Sequence, residues 1–323
     1  MGNMPQLRVL ATNYCASKCI YCQPSGEGNI KVNSENSIDI NEVIQVAELY
    51  KQYGGNEVKI TGGDPVFWPD LVECVRMLKS KLNFDKVEVI TRSPNILSII
   101  DDLIAAGLDT LNFSLDSLIE NTYKHITSCC NFEQYLDAIK TCSNKPIYCK
   151  INAVIMKGIN DMEIQALVDY CVTNNIKQLK FLDVIDDLQD DESQKRCDLH
   201  NLFLPLTYIS NNISQIASQS EIIYQGGLGH PMNKYTLSSG LEIVIKNSQN
   251  GAWYGEECKQ CRYFPCHDAL MAMRLCPDKV FQMCLLNREK NISYDDTSRK
   301  ENFLKMLNIF KNAHFVETSI SKW

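Results

Sequence analysis

"ATNYCASKCIYCQPSGEG", residues 11–28, sets Cys15, Cys19 and Cys22 within eight positions of a polar segment that also carries Gly and Ser. It continues "LRVLAT", an apolar run of strand length, so the three thiols stand in the loop at that strand's C-terminal end. Two such cysteines alone could be a redox pair, and four could bind structural zinc. Three close thiolates with no fourth Cys or His beside them can instead hold three corners of a [4Fe–4S] cube. The fourth iron is then open to bind and reduce a small molecule.

Working outward, strand-like runs alternate with amphipathic helical stretches as far as about residue 185. The strands read as "LRVLAT" (7–12), "EVKIT" (57–61), "KVEVIT" (86–91), "TLNFSL" (110–115), "IYCKINAVI" (147–155) and "QLKFLDV" (178–184). Between them "INEVIQVAELYKQYG", "PDLVECVRMLKSKL", "NILSIIDDLIAAG", "FEQYLDAIKTC" and "DMEIQALVDYCVTNN" have helical spacing, with Gly54, Gly55 and Gly107 punctuating helix ends. This is an α/β pattern of parallel strands with right-handed crossovers, whose active site belongs at the C-terminal strand ends. The alternation then stops. "DDLQDDESQKR" (186–196) reads as a charged loop and "LPLTYISNNISQIASQ" (204–219) as one helix. "NKYTLSSGLEIVIKN" (233–247) reads as a hairpin turning at Ser238-Ser239-Gly240, and "RKENFLKMLNIFKNAHF" as a C-terminal helix. The expected division is a barrel unit, 1–215, and a smaller cysteine-bearing unit, 216–323.

A hydrophobic fraction of 45% and a charged fraction of 22% describe an ordinary globular chain. No apolar run approaches the roughly 20 residues of a membrane span, and no signal-peptide pattern opens the sequence. The net charge of −7 argues against a broad nucleic-acid-binding face. Fifteen cysteines are the abnormal total. In the cytoplasmic setting this composition suggests, clustered cysteines mean metal or redox chemistry. The scattered ones, Cys74, Cys129, Cys130, Cys142, Cys149, Cys171 and Cys197, read as small buried hydrophobes.

The first cluster and its context resemble the radical S-adenosylmethionine (SAM) enzymes, whose signature is this spacing after the first strand of a partial (β/α)6 barrel. The resemblance implies that Cys15, Cys19 and Cys22 bind a [4Fe–4S] cluster. It also implies that the open iron chelates SAM, and that one electron from an external donor such as flavodoxin or ferredoxin cleaves SAM to a 5′-deoxyadenosyl radical. Tyr21 matches the aromatic position packed near the adenine. "ITGGDP" (60–65) resembles the family's GGEP motif, making Gly62, Gly63 and Asp64 SAM-binding residues, with Asp64 in place of Glu; an ordinary turn is the plain alternative. Thr91 in "VITRS" and Ser114 in "NFSLDS" match further SAM contacts.

"LRVLATNYCASKCIYC", "ITGGDPVFWPDL", "LNFSLDSLIENTYKHI" and "CKINAVIMKGIND" look like the GTP 3′,8-cyclase branch of that family. Lys150 and Asn152 then fall at cofactor-handling positions. Arg8, Lys59, Lys180 (arginine in that branch) and Arg274 fall at substrate-handling ones. Solvated strand ends are the plain reading of Arg8 and Lys180. "ECKQCRYFPCHDALMAMRLCPDKVFQMCLLNRE" implies a second [4Fe–4S] cluster in a C-terminal twitch-like unit, on Cys258, Cys261 and Cys284 with Cys266 as an extra ligand. Four ligands would leave it no free iron; structural zinc suits the same thiolates. Cys276 reads as structural. Glu57, Phe67 and Trp68 stand where the branch has bases, Ala272 replaces an arginine, and the chain ends "SISKW" rather than Gly-Gly. The expected substrate is a small polar molecule, a nucleotide first, transformed by hydrogen abstraction and C–C bond formation or rearrangement. A peptide is the alternative: Phe67 and Trp68 at the mouth would suit an apolar side chain, although 14 residues before Cys15 leave no room for a leader-binding domain. An iron–sulfur electron carrier is the third reading, but it would need neither the Gly-Gly-Asp-Pro turn nor Ser114.

Overall fold

The computed structural model describes residues 4–22, 36–185, 199–225 and 228–317. The charged 186–196 stretch, Cys197 and the terminal "SISKW" lie outside the described residues. Six parallel strands pair in chain order: β1 (Gln6–Leu10), β2 (Glu57–Thr61), β3 (Lys86–Thr91), β4 (Thr110–Ser114), β5 (Tyr148–Ile155) and β6 (Gln178–Asp183). The sheet curls into a half-barrel, and its two faces differ. Leu7, Val9, Val58, Ile60, Val87, Val89, Leu111, Phe113, Ile151 and Phe181 are buried in the core. Their alternating neighbours Arg8, Lys59, Glu88, Asn112, Lys150 and Lys180 line a central cavity.

The sequence-expected helices form at Ile40–Gln52, Leu71–Arg76, Ile100–Ala105, Phe132–Ser143 and Ile164–Thr173, the second running on as a π-helical turn. One further helix, Glu120–Thr127, escapes the sequence pattern because "ENTYKHIT" offers only Tyr123 and Ile126 as large buried apolar groups. It matters, since its last carbonyls hold the cysteine loop.

The rest of the chain widens the same sheet from both sides. Beyond β6 come β7 (Ala217–Gln225), β8 (Leu228–Leu237) and β9 (Glu242–Lys246), with β9 parallel to β6 and the hairpin turning where the sequence indicated. The helix read over 204–219 is shorter, Thr207–Ile216, because Ala217 onward pairs with β8; strand pairing overrides local preference there. After the short β10 (Ala252–Tyr254), β11 (Ala272–Cys276) lies parallel against β1, followed by antiparallel β12 (Val280–Gln282) and β13 (Ile292–Ser293). The result is a 12-stranded sheet in the order β13-β12-β11-β1-β2-β3-β4-β5-β6-β9-β8-β7. The C-terminal helix Arg299–Lys311 leads to β14 (His314–Val316), which pairs with β10. Among the described residues no helix is long and apolar enough to cross a membrane.

Phe281 of β12 fastens this second edge, stacking on Tyr294 at 4.4 Å and meeting Phe303 of the terminal helix edge-on at 5.9 Å. It is fully buried. Phe281→Ala is expected to lower the unfolding free energy by about 3–5 kcal/mol, read from urea denaturation.

Candidate active site

The cysteine loop leaves β1 and is pinned from both sides. On one side Gly63 N donates to Thr12 O (2.6 Å) and Asp64 N to Tyr14 O (2.8 Å). Gly62 has φ +132°, and a Cβ on Gly63 would overlap the Tyr14 carbonyl, so this approach requires two glycines. On the other side Lys18 N donates to Thr127 O (2.8 Å) and Ile20 N to Ile126 O (2.9 Å). Cys15, Cys19 and Cys22 all line the central cavity of about 630 Å³. Burial, with the nearby Asp64 charge, pushes the Cys15 thiol up to about 11, and burial pushes Cys19 up as well. A metal centre there must displace their protons on binding.

Asp64 caps the 3₁₀ turn Pro65–Phe67 and ties the ends of β2 and β3 together. Its carboxylate accepts from Thr91 Oγ1 (2.7 and 3.0 Å), Arg92 N (2.8 Å) and Val66 N (3.2 Å). The polar side-chain atoms of Asp64 and Thr91 are therefore engaged with each other, although both residues border the cavity. Tyr21 Oη donates to Asp116 Oδ2 at 2.9 Å, a fixed position that its reading as an adenine neighbour did not require. The mouth also differs from expectation. Trp68 is buried in the core with its Nε1 donating to Ile38 O, and Phe67 packs edge-on against Tyr14; neither is among the described residues lining the cavity.

Strand register builds the floor. Arg274, Arg8, Lys59 and Glu88 stand side by side across β11, β1, β2 and β3, and Ser114, Asn152 and Lys180 across β4, β5 and β6. Glu88 pairs with Lys59 (3.4 Å) and Lys150 (3.3 Å) and accepts from Asn112 Nδ2 (2.8 Å). Burial opposes its charge, but those two lysines and the amide outweigh burial and hold the carboxyl below its ordinary range. Burial lowers Lys59 to about 8 despite Glu88. Burial and the neighbouring Lys59 and Arg8 charges push Lys180 well below the usual lysine range. Lys180 makes no hydrogen bond or ion pair with any described residue. Farther along, Lys246 pairs with Asp183 (3.3 Å), and the fully buried Arg274 lies 3.6 Å from Asp268. Glu88, Asp116, Arg92 and Lys246 were not singled out from the sequence. The signal for Glu88 was present: a charge inside "KVEVIT" at the same alternation as Lys59.

The second cysteine group follows β10 and β12. Asn287, also missed, joins two of its members, its N donating to Cys284 Sγ (3.3 Å) and its Nδ2 to Cys261 Sγ (3.6 Å). Cys261 N donates to Cys258 O (2.9 Å), and Cys266 Sγ accepts from Ala269 N (3.4 Å). Burial, then the Asp268 carboxylate, raises Cys266, and raises Cys284 to about 12. Leu285, Leu286 and Asp268 line the cavity, whereas none of these four cysteines is among its described lining residues. Cys276 sits apart on β11, buried with Leu10 and Val280. Cys74, Cys142, Cys149 and Cys171 are core residues. Cys130 is exposed, and Cys129 is half-buried with its Sγ 3.2 Å from Ser17 Oγ of the first loop, so those two depart from the expected burial. Among the described residues no three His, Cys, Asp or Glu side chains converge as around a single ion. A four-iron cube distributes its thiolates over separate irons, and the chemistry of both donor sets fits one.

A strand-end site of this kind, fed by a loop with three cysteines, defines a class. The family model of the radical SAM superfamily matches residues 9–171, half of the chain, and the chain belongs to that superfamily. It is an enzyme of the kind that uses SAM with a [4Fe–4S] cluster. The "probable GTP 3′,8-cyclase" of Pyrococcus abyssi is 26% identical over 312 residues, 95% of this chain and 93% of that one. The GTP 3′,8-cyclase of Lactiplantibacillus plantarum is 34% identical over 173 residues, 53% of this chain and only 51% of the relative. Among solved structures, Streptococcus suis SuiB bound to S-adenosylmethionine superposes with a TM-score of 0.62 at 16% identity, over 93% of this chain and 68% of that chain. The last likeness is one of fold.

Gly63→Ala is expected to push the loop off β2 and reduce iron retained per chain after anaerobic reconstitution by more than half, measured by iron assay beside circular dichroism.

Proposed function

We propose that this enzyme holds a [4Fe–4S] cluster on Cys15, Cys19 and Cys22, binds SAM beside it, and acts on a small anionic molecule, a nucleotide of the kind GTP 3′,8-cyclases use. One observation carries the reading: a single cavity is lined at one end by the three thiols and at the other by Arg8, Lys59, Lys150, Lys180 and Arg274. When bound, SAM and its cluster would supply the radical chemistry needed for hydrogen abstraction and for C–C bond formation or rearrangement of the substrate. The chain's own residues orient and enclose. The Gly62-Gly63 backbone, Ser114 and Asn152 offer polar groups at the strand ends for SAM, and Asp64 and Thr91 act by holding the glycine turn in place. Lys180, lacking a partner among the described residues, is the natural seat for a phosphate or carboxylate, and anion binding there would favour its charged form. Cys258, Cys261, Cys266 and Cys284 would hold a second [4Fe–4S] cluster, closed by four thiolates and serving electron relay or structure instead of gripping substrate. The electron donor would be a flavodoxin or ferredoxin in the cytoplasm.

A peptide is the second reading, favoured by the apolar side of the cavity at Ile223, Met232, Met271, Leu285 and Leu286. The deciding experiment is 5′-deoxyadenosine release by anaerobically reconstituted, dithionite-reduced protein, with and without GTP. Strong stimulation by GTP is the expected result. Release indifferent to GTP would overturn the GTP assignment and turn the search to other anions and peptides. Release persisting undiminished in Cys19→Ala would overturn the cluster assignment.

The floor also sets a pH dependence. Lys59, pressed by burial and facing Glu88, Arg8, Lys150 and Lys86, is charged below about pH 8 and neutral above it. KM for an anionic substrate is expected to rise as pH passes through 8, and Lys59→Met is expected to raise KM and flatten that profile.

A further inference from the structure

We propose that Arg92 is the positioning residue of the first cysteine loop, and that its buried charge raises the reduction potential of the cluster held there. The inference rests on the assignment of Cys15, Cys19 and Cys22 as the ligands. Arg92 immediately follows β3, and its backbone N–H is fixed on Asp64 Oδ2 at 2.8 Å. From there the guanidinium reaches the loop: Nη2 donates to Tyr21 Oη (2.6 Å) and to Asp116 Oδ2 (2.6 Å). Tyr21 Oη donates to the same Asp116 oxygen, while Asp116 Oδ1 accepts from Val154 N at 2.9 Å. Tyr21 lies between Cys19 and Cys22 in the chain, so the ends of β3 and β4 set where that part of the loop stands.

Position is half of the effect. The Arg92 and Asp116 side chains are only 6% and 1% exposed, so water screens them little. Asp116 shares its charge with Tyr21, Arg92 and Val154 N, and Arg92 Nη1 is buried with no hydrogen bond to any described residue. Arg92 borders the same cavity as Cys15, Cys19 and Cys22. Reducing a cluster adds one negative charge, and a fixed cation nearby stabilises the reduced form over the oxidised one. Asp64 and Asp116 oppose this, and the charge of Arg92, which is hydrogen-bonded to the one through its backbone and to the other through its guanidinium, offsets part of their effect.

The test uses the full-length holoenzyme and follows the iron–sulfur signal that SAM perturbs, by electron paramagnetic resonance during a reductive titration, together with iron per chain. In Arg92→Gln the reduced-to-oxidised ratio at fixed poise is expected to fall about tenfold, which is about 59 mV for a one-electron couple. Arg92→Lys keeps the charge and should keep the potential. Tyr21→Phe keeps the charge and loses the anchor, so it should keep the potential and lose iron on gel filtration. Should Arg92→Gln fail to fold because Asp116 is left buried and unpaired, Asp116→Asn and the double variant Arg92→Gln/Asp116→Asn provide the same comparison. A parental potential in the glutamine variant, or an equal fall in the lysine variant, would overturn the proposal. A parent protein with no SAM-perturbable signal would instead overturn the ligand assignment.

Discussion

Glu88 is the carboxylate on which the floor of the half-barrel depends. Parallel strands bury both faces, and here the inner face carries Arg8, Lys59, Lys150 and Lys180 within one cavity. Like charges so close and so dry repel strongly, and the fold tolerates them only where an opposite charge is fixed among them. Glu88 meets Lys59 and Lys150 together and is itself oriented by Asn112. It compensates part of the set and leaves Lys180 over. A floor with full compensation would have no use for an anion. Here Lys180, set beside Asn152 by strand register, has no ion-pair partner among the described residues.

The end near the cysteines is balanced differently. Arg92 forms an ion pair with Asp116, and Asp64 accepts hydrogen bonds from Thr91, Arg92 and Val66. Its charge is met by neutral donors, and burial still pushes its carboxyl above the ordinary range. The two ends therefore differ in kind: one presents thiols amid a satisfied network, the other presents excess positive charge. A ligand lying along the cavity would have its anionic group drawn to the floor and its neutral part left near the loop, without any residue having to move.

Much of this was legible in the sequence, and the parts that were not share a cause. The six parallel strands follow from period-two alternation, and the loop from a cysteine spacing that survives any detail of packing. The Gly-Gly pair was read from its resemblance to the GGEP motif, and the structure adds that a Cβ on Gly63 would overlap the Tyr14 carbonyl. What escaped were pairings across the fold. Arg92, Asp116 and Tyr21 are separated by 24 to 95 positions, and nothing local marks them as partners. Trp68 looked like a mouth residue because it follows the turn, yet its indole finds Ile38 O thirty positions back and turns into the core. The helix Glu120–Thr127 is too polar to announce itself, although the loop hangs from its last carbonyls. Residue 217 onward became a strand because β8 was there to pair with it.

The later part of the chain joins the barrel sheet instead of resting on it. β11 continues the parallel set on the β1 side, so Arg274 stands in register with Arg8, and β9 does the same for β6. Of the second cysteine group, Cys284 follows β12 of this same sheet, while Cys258, Cys261 and Cys266 lie in the chain between β10, which pairs with β14, and β11. Leu285 and Leu286, which follow Cys284 in the chain, border the cavity with Asp268, and Leu285 N is bonded to Asp268 Oδ2 at 2.6 Å. None of the group's four thiols is among the described residues that border the cavity. A centre built there can pass electrons or stiffen the wall. On the proposed reading, a closed four-thiolate centre there would leave contact with a substrate to the residues that border the cavity, the lysines and arginines of the floor among them.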